Sequence, residues 1–588
     1  MSPIDWIVLL GTLAFIAAYG VWKTRGSQNL EGYLRGNNDA KWWGIGISIM
    51  ATQASAITFL STPGQAYFDG MRFVQFYFGL PIAMIILSVT FIPIYYKLKV
   101  FTAYEFLEQR FDLKTRSLAS ILFLVQRGLA VGITIYAPSI ILSTLLGWPL
   151  GLTNLLIGAL VIVYTVSGGT KAVTQTQKQQ MAVMMGGMVI AGILVIAWLP
   201  EKMGFGDALH VAGKMGKLNV VNFEFDLNDR YNFWSGITAA LFLFMSYFGT
   251  DQSQVQRYLS GRSIAESRLG LIMNGLLKVP MQFVILFIGV MVFVFFQFNQ
   301  PPVFFNKTAL EKVEQSANEE DKEELERLKR QYTHVFEEKK YHLEELIKAT
   351  RTEDQSEVDR LRTEVNTLQE RSEEVREEVK GLVLKTDPNA EDNDKDYVFM
   401  TFVMNYLPTG LVGLLFAVIF SAAMSSTASE LNALATTTTI DLYRRSIRKN
   451  ENEQHYVSSS RWFTFLWGIL AILFATYASL FENLIQAVNY LGSLFYGTIL
   501  GIFIVAFYIK RIGANAVFFG AILAELLVIG LDQANGAGIA PEWLQVGYLW
   551  YNVIGCGLVV FFGLLLQPFF DKPQQATILE KNEKSHPD

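Results

Sequence analysis

Cysteine is nearly absent from this chain: Cys556 stands alone in an apolar run, which excludes an intramolecular disulfide and leaves the redox compartment unread. Charge is scarce too, at 17% of 588 residues against 51% hydrophobic. The net charge of −5 says little about partners, because the acidic residues crowd into one soluble insert. There is no metal-ligand cluster, no glycine-rich phosphate loop and no basic stripe suited to nucleic acid, which argues against an enzyme or a DNA-binding protein. The N-terminus lacks a small-residue cleavage site. Asp5 precedes its apolar run, and Lys23 and Arg25 follow it, so no cleavable signal is expected.

What is abundant is apolar sequence. Runs of about 20 residues recur along nearly the whole chain, each long enough to cross a bilayer. With 44 Phe, 24 Tyr and 11 Trp for lipid-facing and interfacial positions, this reads as an all-α polytopic membrane protein of about thirteen passes. Every second loop is basic, beginning with Lys23, Arg25, Arg35 and Lys41. Next come Lys97, Lys99, Arg110, Lys114 and Arg116, then Lys171 and Lys178, then Arg257, Arg262 and Arg268. Arg444, Arg445, Arg448 and Lys449, and finally Lys510 and Arg511, complete the series. Cations mark cytoplasmic loops, so the N-terminus is expected outside and the C-terminal tail inside.

One segment breaks the pattern. Residues 306–396 are highly charged and carry heptad apolar positions in two runs. Leu325, Leu328, Tyr332, Val335 and Leu346 fit one register; Val358, Leu361, Val365, Leu368, Val375, Val379 and Leu382 fit the other. A turn at Arg351-Thr352-Glu353-Asp354 predicts an antiparallel coiled-coil hairpin outside the membrane, projecting roughly 50–60 Å from it. Such an arm suggests a protein partner.

Two short polar stretches interrupt the apolar spans: Ala51-Thr52-Gln53-Ala54-Ser55 and Ser425-Ser426-Thr427-Ala428-Ser429. Lipid offers them no hydrogen-bond partners, so each must face protein, water or a bound solute. Hydroxyls and freed carbonyls at mid-membrane depth suit a small hard cation such as Na⁺. That points to cation-coupled transport.

The chain resembles the sodium/solute symporter family over nearly everything except the hairpin. The markers are Trp42-Trp43, the two polar stretches, Ser61-Thr62-Pro63-Gly64, Ile135-Tyr136-Ala137-Pro138, Gly168-Gly169-Thr170-Lys171-Ala172-Val173, Gly249-Thr250-Asp251-Gln252, Arg257-Tyr258-Leu259 and Asp441-Leu442-Tyr443. The signatures look most like the bacterial sialic-acid and the iodide, monocarboxylate and vitamin branches. The resemblance implies a leucine-transporter type of fold, with two inverted five-helix repeats after one extra helix and with the second and seventh passes broken. It implies a sodium site from Ala51, Ala54, Ala422, Ser425 and Ser426. A second sodium site of some relatives needs an aspartate where this chain has Gln177, and a hydroxyl where it has Ala428, so one Na⁺ per cycle is expected. Lys178 is weighed as an internal cation reaching into the core.

For a small-molecule substrate the resemblance nominates Gln53, Ser55, Thr58, Phe73, Tyr77, Arg127, Tyr247, Phe248 and Gln486. Arg127 falls inside an apolar pass, where an unpaired guanidinium is expensive, and a matching arginine holds a carboxylate in sialic-acid relatives. A structural pairing with Asp251 or with a neighbouring carbonyl is the alternative. Glu430 and Glu525 are further intramembrane carboxylates without a role.

The expected organisation is residues 1–41 as extra helix and loop, 42–230 as first repeat, 231–305 as start of the second, and 306–396 as the hairpin. The second repeat resumes over 397–512, followed by C-terminal helices over 513–570 and a tail over 571–588. The expected function is sodium-coupled import of a carboxylate-bearing solute across a bacterial inner membrane. The alternatives are a sodium/sugar symporter, or a transporter-like sensor acting through the arm.

Overall fold

The computed structural model describes residues 1–24, 39–98, 100–200, 203–388, 390, 393–476 and 484–570. Arg25, Arg35, Lys99 and the tail from Asp571 lie outside the described residues, as do the side chains of Lys23, Lys171, Ala172 and the Gly168-Gly169 pair. Among the described residues there is no strand, only an isolated bridge between Ala40 and Gly261. Apolar runs in a bilayer must satisfy their backbone internally, and the helix does so within each segment.

In chain order the principal helices are α1 (Pro3–Thr24), α2 (Trp42–Gln53), α3 (Ala56–Asp69), α4 (Gly79–Val89), α5 (Leu113–Leu146), α6 (Leu150–Ala197), α7 (Phe205–Lys214), α8 (Ala240–Gly249) and α9 (Gln252–Leu259). They continue as α10 (Ile264–Phe298), α11 (Glu319–Arg351), α12 (Gln355–Thr386), α13 (Leu411–Thr437), α14 (Glu453–Ala475), α15 (Leu484–Tyr508), α16 (Ala514–Gly536) and α17 (Tyr551–Leu566). Among the described residues nine segments are long and apolar enough to span a bilayer, with three shorter apolar helices at Pro3–Ile16, Leu150–Val163 and Ser235–Gly249. The expected thirteen passes differ most at α6. It is helical through Lys171 and Lys178, where a basic loop is expected, although its apolar stretches still lie on either side of Lys171. Hydropathy registers where charge falls, not where helical hydrogen bonding stops.

Two helices are broken. The second pass stops at Gln53 and restarts at Ala56 across extended Ser55; the seventh stops at Gly249 and restarts at Gln252. Asp251 caps α9 by accepting from Ser253 N at 2.9 Å. The carbonyls freed in this break accept from buried tyrosines: Tyr95 to Gly249 O at 2.8 Å and Tyr104 to Thr250 O at 2.9 Å. Each break thus sits among protein groups, as backbone at membrane depth requires. Against both lies α13, whose residues are almost all buried.

The arm, α11 and α12, is an antiparallel pair: Lys385 meets Asp321 at 2.6 Å, Lys339 meets Gln369 at 2.8 Å, and His342 meets Glu364 at 3.2 Å. The heptad residues are buried between the helices, with Val383 rather than Leu382 closing the last layer and Phe336 and Leu343 filling layers the register omits. Glu353 turns the chain with φ 57°, and Asp354 caps α12 by accepting from Glu357 N. The expected outward projection is not observed. The arm leans on the core: Arg351 near its tip pairs with Asp207 of α7 at 2.6 Å, and Arg376 lies over the Phe68 ring of α3 at 5.3 Å. Leu343, Leu346, Val358 and Val365 join the main apolar core. A heptad pattern tells which faces pair, but not what the finished hairpin rests on. At the arm's base the chain touches α3 so closely that a Cβ on Gly64 would lie 1.9 Å from Lys395 O.

Candidate functional site

The first break, the turn after α3, α5, α8, α13 and α15 line a cavity of about 80 Å³. The first break contributes Thr52, Gln53, Ser55 and Thr58, the turn after α3 Phe76 and Tyr77, and α8 Leu243, Phe244 and Tyr247. Arg127 and Thr134 come from α5, Glu430 from α13, and Ile485, Val488, Asn489 and Tyr496 from α15. Aromatic walls with a few convergent polar groups are the usual make-up of a small-molecule site.

Of the nominated substrate residues, Gln53, Ser55, Thr58, Tyr77, Arg127 and Tyr247 are brought together here; Phe73, Phe248 and Gln486 are not. Phe73 is buried behind the wall, stacked on Phe76 with centroids 5.6 Å apart. Phe248 packs behind Tyr247 at 4.8 Å. Gln486 accepts from Arg230 at 2.8 Å, while Ile485, Val488 and Asn489 present the cavity face of the same helix. One residue along a helix is a turn of about 100°, enough to take a side chain off a face.

Arg127 is not a free cation. It is 2% exposed; Nη1 donates to Glu430 at 3.1 Å, and Nη2 donates to Asp251 and to Tyr496. Tyr496 in turn donates to Asp251 at 2.9 Å, and Thr134 donates to Glu430 at 3.2 Å. Tyr247 covers the guanidinium at 5.3 Å. The alternative of pairing with Asp251 is what the structure adopts, with Glu430 as second partner, yet Arg127 and Glu430 still line the cavity and Arg127 Nε has no hydrogen-bond partner among the described residues. Removing one member of such a buried pair leaves an uncompensated charge, at about 3–5 kcal/mol.

Of the residues nominated for sodium, Ala51 and Ser425 meet at the other side of the first break. Ser425 Oγ donates to Ala51 O at 3.0 Å across the α2–α13 contact, and Ser426 Oγ donates to Ala422 O at 3.0 Å. Ala54, fully buried, ends α2 with its N–H on Met50 O. The side-chain and carbonyl oxygens in these contacts are neutral. Gln177 fills the neighbouring space. Its Nε2 donates to Ser429 Oγ at 2.8 Å, to Thr52 Oγ1 at 3.0 Å and to Ser425 O at 3.5 Å, and Ser48 donates to its Oε1. Ala428, buried on α13, offers no side-chain oxygen there. Lys178 does not reach the core: it lies over the Trp43 ring at 4.7 Å, in a polar recess with Asp39 and Lys41.

Sequence reasoning missed Lys278. It is fully buried on α10, 6.0 Å from the Tyr77 ring centroid, and its amine has no hydrogen-bond partner among the described residues. The signal was the one that picked out Arg127, a cation inside an apolar run. Glu430 was visible as a carboxylate but not as Arg127's partner, since the two are 303 positions apart.

Comparison with known proteins adds to this geometry. The model of the sodium:solute symporter family matches residues 33–319 and 387–524, most of the chain. The chain belongs to the sodium:solute symporter family. What the match leaves out between its two blocks is residues 320–386, nearly all of the arm. A sodium/sialic acid symporter of Proteus mirabilis is 24% identical over 98% of this chain and 97% of its own. The human sodium-coupled monocarboxylate transporter 1 is 33% identical, over 46% of this chain and 44% of its own length, so that alignment spans under half of either protein. Among solved structures, a Na⁺-coupled sialic acid symporter in a substrate-bound outward-open state superposes with a TM-score of 0.73 at 23% identity, covering 98% of this chain and 99% of that one. The fold is therefore shared with that of a transporter, and residues 320–386 lie outside the family model.

Proposed function

We propose that this symporter uses Na⁺ to import a small organic solute bearing a carboxylate, by alternating access across a bacterial inner membrane. Its N-terminus then lies outside and its C-terminus in the cytoplasm. The observation that carries the reading is the double use of the first break. Ala51 O meets Ser425 on one side, while Thr52, Gln53 and Ser55 face the cavity on the other. An ion that fixes this unwound turn also fixes the substrate's polar contacts, and each ligand raises the other's affinity by one coupling energy. In this reading the two broken helices open two inverted repeats, and Ala51, Ala54, Ala422, Ser425 and Ser426 hold the ion. One Na⁺ moves per cycle, because the Gln177 amide already donates to the oxygens a second ion would need.

The acid enters by exchange. Its carboxylate replaces Glu430 as the second partner of Arg127, with Thr134 and Asn489 close by and Tyr247 as cover. A second reading, a neutral solute such as a sugar, is favoured by Arg127 already having both Asp251 and Glu430 as partners. The arm's helices pair as a short antiparallel coiled coil, and its exposed charged faces are the place for a protein partner.

The test is thermal stabilisation of purified protein by monocarboxylates, sialic acid, sugars, amino acids and vitamins, in Na⁺ and in K⁺, for wild type and Glu430→Gln. An acid that stabilises only in Na⁺, and binds about tenfold more tightly to Glu430→Gln, supports the exchange. A neutral hit, weakened by Glu430→Gln, makes Arg127 structural. No hit and no Na⁺ effect shifts the reading to a sensor.

A further inference from the structure

The seam between arm and core encloses a second, much smaller cavity of about 20 Å³. Its walls are the end of α3, Lys217 from the loop after α7, α10, and both arm helices, from which Lys339, Glu373 and Arg376 reach in. Space for little more than one water-sized particle excludes organic solutes.

Charge does not balance there. Arg376 is met by Asp394 at 2.7 Å, and Lys395 by Asp69 at 3.3 Å. Among the described residues Glu373 is then the remaining carboxylate for two ammonium groups, Lys217 and Lys339, both of which it attracts. Lys217 donates to Phe68 O at the C-terminal end of α3 and lies over the Phe293 ring at 4.7 Å. Lys339 is 5% exposed and has one hydrogen bond, to Gln369 at 2.8 Å, which leaves two N–H groups. Burial pushes its ammonium down to about 8, with Glu373 opposing that and Arg376 and Lys217 adding repulsion. Among the described residues, four cations face three carboxylates at this seam.

We propose that the seam binds a small monovalent anion of chloride's size between Lys217, Lys339 and Arg376. The ion supplies the missing charge, accepts the spare Lys339 N–H groups, and lies against the Tyr67 and Tyr332 side chains, whose ring edges are positive. The walls come from α3 and from the arm together, so the site exists only while the arm rests on the outer half of the first broken helix. Anion binding and arm docking therefore stabilise each other by linkage. The arm is then held to α3 by a small anion from solution. This inference does not depend on the identity of the transported solute.

The experiment uses the full-length purified protein at constant Na⁺, exchanging gluconate for chloride or bromide at fixed ionic strength. Expected is a saturable rise of a few degrees in unfolding temperature, absent in Lys339→Gln and Lys217→Gln and retained in Lys307→Gln on the exposed surface of the arm. Crystals grown in bromide should show an anomalous peak in the seam, a readout on wild type that holds even where a variant fails to fold. Equal unfolding temperatures in chloride and gluconate with no bromide peak would overturn the proposal. So would a chloride shift that survives both lysine substitutions.

Discussion

The buried charge at the broken helices and that beneath the arm are built in opposite senses. In the membrane, one guanidinium, Arg127, is met by two carboxylates, Asp251 and Glu430; at the seam, Lys217 and Lys339 share Glu373. A cation with surplus carboxylates is a framework that a ligand must compete to enter. A cluster with surplus cations lacks a partner and gains one by binding. The first cluster lies within the part of the chain that matches the family, whereas the second draws Lys339, Glu373 and Arg376 from the inserted arm. Similar side chains thus serve opposite ends, according to how the local charge is summed at low dielectric.

The comparison breaks most sharply at Arg127. Replacing it with Met leaves Asp251 and Glu430 buried together without a cation, and we expect a loss of about 3–5 kcal/mol in chemical or thermal unfolding. Lys339→Met is the counterpart at the seam. It removes a charge that lacks its own partner, so without halide its stability should stay within about 1 kcal/mol of wild type. Equal losses in both variants would mean that the two clusters are not balanced differently.

Next in size is the ion. Ser425→Ala removes a hydroxyl that faces the first break, and we expect Na⁺ to bind at least tenfold more weakly, about 1.4 kcal/mol, by titration of Na⁺-dependent stabilisation. Gln177→Asp sharpens the same site. It exchanges an amide donor for a carboxylate among Thr52, Ser425 and Ser429, and the Hill coefficient for Na⁺ should rise from 1 towards 2. A coefficient that stays at 1 would remove the reason given for a single ion. The smallest effect belongs to Arg351→Ala at the arm tip, whose pair with Asp207 is half-exposed; the expected loss is about 0–1 kcal/mol.

The all-helical fold, the two breaks and the pairing of the arm were legible because each follows from local periodicity or from polar residues where lipid forbids them. The position of the arm was not. The docking contacts of Arg376, Lys339 and Lys217 look in sequence like ordinary solvated charges, and only the packed hairpin shows which of them turn inward. Six of nine nominated substrate residues line the cavity, and those that miss, Phe73, Phe248 and Gln486, are each adjacent to or near a residue that points in. Family correspondence fixes the segment, whereas helix rotation decides the face. Arg127 was correctly marked as costly to bury and Asp251 was named as a partner, but Glu430, 303 positions away, is connected to it by no local pattern. Lys278 carried the same signal and was passed over.

The most direct test of the central claim is uptake into proteoliposomes under an imposed inward Na⁺ gradient, using the acid that the binding panel selects. The account predicts accumulation that needs the Na⁺ gradient, collapses when K⁺ replaces Na⁺, and is lost in Ser425→Ala while wild-type folding is retained. Uptake that proceeds equally in K⁺, or accumulation untouched by Ser425→Ala, would contradict it.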